Sequence, residues 1–369
     1  MTAQQELLTL LNNRITRTTN LIKKENADAI IVFSQPNYRF LTNFTGEEAE
    51  LILTAEGERI LLSDSRFKDQ IKHQAPGELK VIMQTMDRTQ EIAKQLKALG
   101  LKNVLVEGEF ISATQFESLK ATCPDINFTL SAELIEKVRT VKDSLELAAL
   151  QKAIDISMTS FRDLLPLIKP GVSERKLGAK LDYFFKVNGG DGPSFDTIIA
   201  SGYRSSWAHG VASDKKIKKG ELVVIDFGSF YNGYTADITR TVAVGQVEPE
   251  LEKIYQIVLE AQRRGIEAAI AGNTGGDIDK AGRNYIKEQG YGEYFGHGIG
   301  HGIGLEVHEL CTPAMPYSKE VLKNNMAITV EPGIYLPDRG GVRIEDDILI
   351  NDSNPITMSN LPKDELMIL

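Results

Sequence analysis

Leu222-Val223-Val224-Ile225-Asp226-Phe227-Gly228 and Ala327-Ile328-Thr329-Val330-Glu331-Pro332-Gly333 repeat one pattern: an apolar run of strand length, an acid where the run ends, one intervening residue and a glycine. Apolar runs this short, bounded by glycine, read as buried strands. A second matched pair follows, Gly233-Tyr234-Thr235-Ala236-Asp237 and Gly341-Val342-Arg343-Ile344-Glu345. A helical pair precedes both, IKPGVSERKLGAKLDYFFKVNGG from Ile168 and IAGNTGGDIDKAGRNYIKEQGY from Ile270. Each places a glycine, then Ser173 or Thr274 two residues on as a helix N-cap, then an amphipathic stretch and a terminal glycine. Matched positions lie roughly 105 residues apart, too far for a solenoid repeat. The pattern predicts a duplicated half-domain folded about an approximate two-fold axis.

The repeat pairs Asp226 with Glu331 and Asp237 with Glu345. An acid at an apolar strand is costly unless it is paired or bound to metal. One such acid would read as a turn cap or half of an ion pair; four in two matched pairs would concentrate repulsion at the axis. Two divalent cations balance four carboxylates, and carboxylates bridge metals about 3.5–4 Å apart, the spacing of two-metal hydrolysis. The fifth ligand should be a histidine. Three of the five histidines, His297, His301 and His308, lie in Gly296–Glu309, where glycine alternates with histidine or isoleucine. That much glycine disfavours a helix and lets backbone approach a ligand. The segment lacks the Lys-Ser/Thr of a phosphate-binding loop.

Outward from this core, Ser144 stands in front of the periodic run LELAALQKAIDISMTSF and is expected to cap its helix. Residues 136–142 are charged without linker composition, so the boundary is set near 135–142, with domains at 1–135 and 136–369. The first domain alternates helical and strand patterns. A helix is expected over 4–24, strands at 27–33, LKVIM and NVLVEG, a hairpin in ELILTAEGERILLS turning at Glu56-Gly57, and a helix near 88–99. It reads as a small α/β domain without a catalytic constellation, its one histidine, His73, being a solvated surface residue. The net charge of −9 argues against a nucleic-acid partner. No stretch approaches the length of a membrane span, and the N-terminus has no signal-peptide pattern, so a cytoplasmic protein with Cys123 and Cys311 reduced and unpaired is expected. No GxSxG elbow is present for serine catalysis.

WAHG (207–210), IDFG (225–228), GYTADITRT (233–241), HGIGHGIGLEVHE (297–309), TVEPGIY (329–335) and GVRIEDD (341–347) together resemble the metallopeptidases of the pita-bread fold, and within them the Xaa-Pro aminopeptidases and prolidases. NYRFLTNFTG (37–46) and LLSDSRF (61–67) resemble the family's N-terminal domain more loosely. The resemblance implies an α/β chain whose small creatinase/prolidase-type domain precedes a pseudo-two-fold catalytic domain. It implies that Asp226 chelates one metal, that Asp237 and Glu345 bridge both, and that His301 and Glu331 complete the second site, Glu331 also taking the proton of the attacking water. His209 and His308 would flank the scissile bond, His209 holding the substrate and His308 meeting charge that develops in the tetrahedral intermediate. His297 would line the proline side of the pocket, with Tyr335 and Arg343 orienting the acids. Oxygen-rich ligation with one imidazole suits Mn²⁺, with Co²⁺ or Zn²⁺ able to substitute.

The expected activity is release of the N-terminal residue before proline from peptides, by a homodimer. The alternatives are an Xaa-Pro dipeptidase, a methionine aminopeptidase, which usually lacks a sizeable first domain, and a non-catalytic peptide-binding module, which typically loses metal ligands. A dipeptidase must hold a free proline carboxylate, for which Arg204 is the candidate, Arg343 being occupied beside Glu345.

Overall fold

The computed structural model describes residues 2–84, 87–309 and 314–369; Cys311 lies outside them. Two compact units divide the chain, Met1–Arg139 and Thr140–Leu369. Among the described residues no helix is long and apolar enough to cross a membrane.

The first unit opens with α1 (Ala3–Lys24), begun by a capping box in which the Thr2 and Gln5 side chains each bond the other's backbone N–H. β1 (Ala29–Val32), α2 (Gln35–Thr42), β2 (Ala49–Thr54), β3 (Arg59–Ser63), α3 (Lys68–Gln74), β4 (Lys80–Met83), α4 (Arg88–Ala98), β5 (Asn103–Glu107), α5 (Ala113–Thr122), β6 (Asn127–Ser131) and α6 (Leu134–Arg139) follow. The strands form one mixed sheet in the order β4-β3-β2-β1-β5-β6. The expected hairpin is β2–β3, and Gly57 at φ +93° supplies its turn. The sequence did not announce β6: it is an edge strand with mostly exposed side chains, so hydrophobic alternation is faint. His73 is exposed, with Nδ1 2.7 Å from the Asp69 carbonyl, and Cys123 is free and buried.

The second unit is built twice. In the first half α7 (Ser144–Leu164) and α8 (Glu174–Val187) precede β7 (Gly192–Pro193), β8 (Ile198–Ser201), β9 (Glu221–Phe227), β10 (Ser229–Tyr231), β11 (Tyr234–Thr235) and β12 (Ile238–Val244). In the second, α9 (Pro249–Ala268) and α10 (Gly275–Glu288) precede β13 (Ala327–Val330), β14 (Gly333–Leu336), β15 (Gly340–Arg343) and β16 (Asp346–Leu349), with β17 (Ile356–Thr357) and β18 (Met367–Ile368) closing the chain. In each half a strand leads into an inner hairpin and a returning strand pairs antiparallel with the first: β9 with β12 around β10–β11, and β13 with β16 around β14–β15. Ile254, Val258, Ile278, Ile328, Val330 and Ile348 seal the second half's helices onto its strands, each with essentially no exposed surface.

Ser173 caps α8, and Thr274 caps α10 with help from the Asp277 carboxylate, as expected. The cap of α7 differs. Ser144 is the first helical residue, and Asp143 is the cap, its carboxylate accepting from the N–H groups of Leu145 and Glu146, both at 3.1 Å. The Glu146 side chain reaches back to the Asp143 N–H at 3.0 Å, so a carboxylate one residue earlier, with a partner three residues on, wins over the serine hydroxyl.

Candidate metal centre

The duplicated strands set the acids. Asp226 is the penultimate residue of β9, and Glu331 follows β13 directly; Asp237 and Glu345 stand immediately before β12 and β16. Two glycines make this approach possible. A Cβ on Gly228 would overlap the Ala236 carbonyl, and one on Gly300 would overlap the Thr329 carbonyl. With Gly300 bare, the histidine-bearing segment lies along β13: Thr329 N–H donates to the His301 carbonyl at 2.8 Å and Glu331 N–H to the Ile299 carbonyl at 2.7 Å.

Ligand atoms of Asp237, His301 and Glu345, all buried, lie within 4.8 Å of one another. His301 Nε2 is 3.4 Å from both Asp237 Oδ2 and Glu331 Oε1. Asp226 Oδ2 receives Arg343 Nη2 at 2.6 Å, while its Oδ1 is buried with no hydrogen-bond partner among the described residues. Burial, then the charges of Asp226 and Glu331, push the Asp237 pKa well above the usual carboxylate range; burial, then Asp237, Glu331 and Asp226, do the same to Glu345. Buried carboxylates this close, one with an orphaned oxygen, need positive charge. The residues present fit divalent cations, and the donors are carboxylate oxygens and imidazole nitrogen without thiolate.

Around this cluster the other sequence candidates fall into two groups. Arg343, Tyr335 and His297 form a chain: Arg343 Nη1 donates to the Tyr335 hydroxyl at 2.8 Å, and that hydroxyl is 2.9 Å from His297 Nε2. Burial opposes the Arg343 charge, but Tyr335 and the carboxylates of Asp226, Glu331 and Glu345 outweigh it and hold its pKa well above normal. His297 Nδ1 lies 2.8 Å from the Gly298 carbonyl, and burial lowers its pKa below the usual imidazole value. His308 packs against His301 with ring centroids 4.2 Å apart, its pKa lowered by burial and by the neighbouring His301 and His209. His209 is exposed on the turn 207–210, which Gly210 N–H closes onto the Trp207 carbonyl at 3.0 Å.

Arg204 does not stand free toward a substrate. It is buried, its Nη1 paired with Glu174 and its Nη2 donating to the Val211 carbonyl at 2.8 Å. Glu174 is itself fully buried, so separating the pair would strand its charge.

Two residues that sequence reasoning passed over complete the surround. Thr239 Oγ1 donates to Glu345 Oε2 at 2.6 Å and accepts from Arg343 Nε at 3.1 Å. Asp347 Oδ2 accepts from the Asp237 N–H at 3.3 Å. They stand two residues after Asp237 and Glu345, so the repeat that matched the acids also matches them.

The profile of metallopeptidase family M24 matches residues 148–352, and that of the creatinase/prolidase N-terminal domain residues 14–141. The chain is 38% identical to the Xaa-Pro dipeptidase of Pyrococcus horikoshii, covering 94% of this chain and 97% of that one. Among solved structures it resembles an Xaa-Pro dipeptidase from Bacillus anthracis (TM-score 0.94, 40% identity, 97% of this chain and 100% of that one). It also resembles an X-Pro aminopeptidase from Thermotoga maritima (TM-score 0.86, 35% identity, 93% and 98%). A repeat that converges four acids and a histidine, carried by a chain matched along nearly its whole length, places this protein among the Xaa-Pro peptidases of metallopeptidase family M24, with a creatinase/prolidase-type N-terminal domain ahead of a pita-bread catalytic domain.

Proposed function

We propose that the chain is a dinuclear exopeptidase that releases the residue before proline from the N-terminus of peptides, with Mn²⁺ as the preferred ion. The observation that carries the hydrolytic reading is the buried Asp237–His301–Glu345 cluster beside Glu331 and Asp226. These five residues would hold two cations. When bound, the ions supply Lewis-acid activation of water and of the peptide carbonyl.

The chain's own groups do the rest. The Glu331 carboxylate takes the proton of the attacking water and returns it to the leaving proline nitrogen, which carries no hydrogen of its own. His308 donates a hydrogen bond to the oxygen that becomes negative at the scissile carbonyl. His209 holds the substrate from its exposed turn, and the His297 ring, its nitrogens already engaged, lines the proline side. Arg343, Tyr335 and Thr239 hold the acids in place.

The engagement of the two arginines considered for that role supports room beyond proline: Arg204 is locked to Glu174 and Arg343 to Asp226, so neither is free to anchor a proline carboxylate. The second reading, an Xaa-Pro dipeptidase, draws support from the relatives of that name at 38–40% identity. The test is kcat/KM for a dipeptide, a tripeptide and a pentapeptide sharing their first two residues, assayed with Mn²⁺, Co²⁺ and Zn²⁺ separately. Turnover of the longer peptides is expected, fastest with Mn²⁺. Activity confined to the dipeptide would select the second reading, and a folded protein inert toward all three would select a peptide-binding module. The family resemblance also supports a homodimer, which sedimentation checks; a cytoplasmic location is part of the same proposal, and fractionation checks it.

A further inference from the structure

Beside His209 the chain exposes two aromatic rings. Tyr203 and Trp207 are 45% and 51% exposed, and their rings meet edge to face at 5.8 Å. Exposed tryptophan is usually mobile; this one is braced. The Arg204 guanidinium lies 4.9 Å from the Trp207 ring centroid, and Arg204 is itself clamped by Glu174. Trp207 N–H donates to the Arg204 carbonyl at 2.8 Å. The turn that follows is tied to the acids, because Arg343 Nη1 donates to the Ala208 carbonyl at 3.2 Å while Nη2 of the same side chain holds Asp226 at 2.6 Å. One guanidinium therefore separates the backbone next to Trp207 from a proposed metal ligand. An extended peptide advances about 3.3 Å per residue, so a residue following proline lies roughly 7 Å beyond the scissile bond, within reach of this turn.

We propose that Trp207, backed by Tyr203 and Arg204, is a specificity-determining platform for the residue that follows proline, and that it favours an aromatic or large apolar side chain there. The inference rests on the reading that peptides longer than Xaa-Pro are substrates. One face of the indole is taken by Arg204, so the exposed part of the ring can stack with a substrate side chain without first being ordered.

Trp207 is the chain's single tryptophan, so its emission reports on this position alone. The experiment uses the full-length protein and three substrates, Xaa-Pro, Xaa-Pro-Gly and Xaa-Pro-Phe. Alongside, wild-type tryptophan emission is titrated with the product dipeptides Pro-Phe and Pro-Gly. Wild-type kcat/KM is expected to favour Xaa-Pro-Phe over Xaa-Pro-Gly by about three- to tenfold, mainly through KM, the size of one aromatic pair. That preference should vanish in Trp207→Ala and return in Trp207→Phe, and Pro-Phe should change the emission saturably where Pro-Gly does not. A preference that persists in Trp207→Ala overturns the platform. So does tripeptide turnover without preference, or an emission maximum already that of a buried indole and deaf to Pro-Phe, the mark of a second copy covering the ring. No tripeptide turnover at all overturns the aminopeptidase reading as well, which separates the two failures.

Discussion

In the proposed centre Asp237 and Glu345 would each serve both ions, so removing either should release both. Asp237→Ala and Glu345→Ala are each expected to bring bound metal, measured by elemental analysis after gel filtration, close to zero and to abolish turnover; wild-type-like turnover in chelator-treated buffer with one defined metal would sink the two-ion assignment. His308→Ala should behave differently. It packs on His301 without belonging to the buried ligand cluster, so the variant should keep its metal and lose about 10²–10³ in kcat, the usual cost of one donor to a developing oxyanion. Loss of stoichiometric metal would show His308 to be a ligand. At this scale the acids were legible because duplication wrote each of them twice. Arg204 was not: its neighbours Trp207 and His209 suggested a substrate contact, while the Glu174 that holds it lies 30 residues away in another element. Thr239 carried a weak signal, because threonines beside strand acids look like ordinary β-formers until the Asp237–Thr239 and Glu345–Asp347 intervals are laid together.

At the scale of elements, caps and strand ends make measurable claims. Asp143→Ala should lower stability by about 1 kcal/mol in denaturant melts, and Ser144→Ala should leave the midpoint nearly unchanged. The reverse order would return the cap to the serine. Sequence alone favoured Ser144 because Asp, Ser and a later Glu in a row fit more than one capping register. In the first unit, Glu107 ends β5 under nearly complete cover and accepts from the N–H groups of Phe33 and Ser34 and the Asn37 amide. Asn37 also bonds Glu136 and Arg139, so these two are the charged groups across the amide. Burial, partly offset by those hydrogen bonds, raises the Glu107 pKa from 4.5 to about 7, with Glu136 adding to the rise. A raised carboxyl pKa means the folded state keeps a proton that the unfolded chain releases. The stabilisation is therefore complete below the unfolded pKa and declines as pH rises through about 4.5 to 7. Glu107→Gln should gain on the wild type across that window, by at most about 3 kcal/mol, and hold a constant lead above it. Melting temperatures of both proteins from pH 4.5 to 8 check this, and parallel curves would exclude Glu107 as the titrating group.

For the whole molecule, a ligand that binds only the folded state adds stability with its concentration, about 2.7 kcal/mol at a hundredfold over Kd. Mn²⁺ added to chelator-stripped protein should raise Tm in wild type and leave Asp237→Ala unmoved; equal shifts in both would place the stabilising ion elsewhere. The duplication inside the second unit was readable from patterning, since it writes matched apolar runs twice. What patterning could not show was how closely each half packs its own segments, which depends on single glycines: Gly228 against the Ala236 carbonyl in the first half and Gly300 against the Thr329 carbonyl in the second. That duplication has a further consequence. Either half alone would carry two of the four acids, and only the second would bring His301, so a half-length chain could close such a centre only by meeting a complementary copy. Joining the halves in one polypeptide turns that encounter into an intramolecular one, at an effective concentration of about millimolar or above for a short connection. Assembly of the centre then no longer depends on how much protein the cell makes, and each half is free to diverge, one keeping acids alone and the other adding the histidine segment.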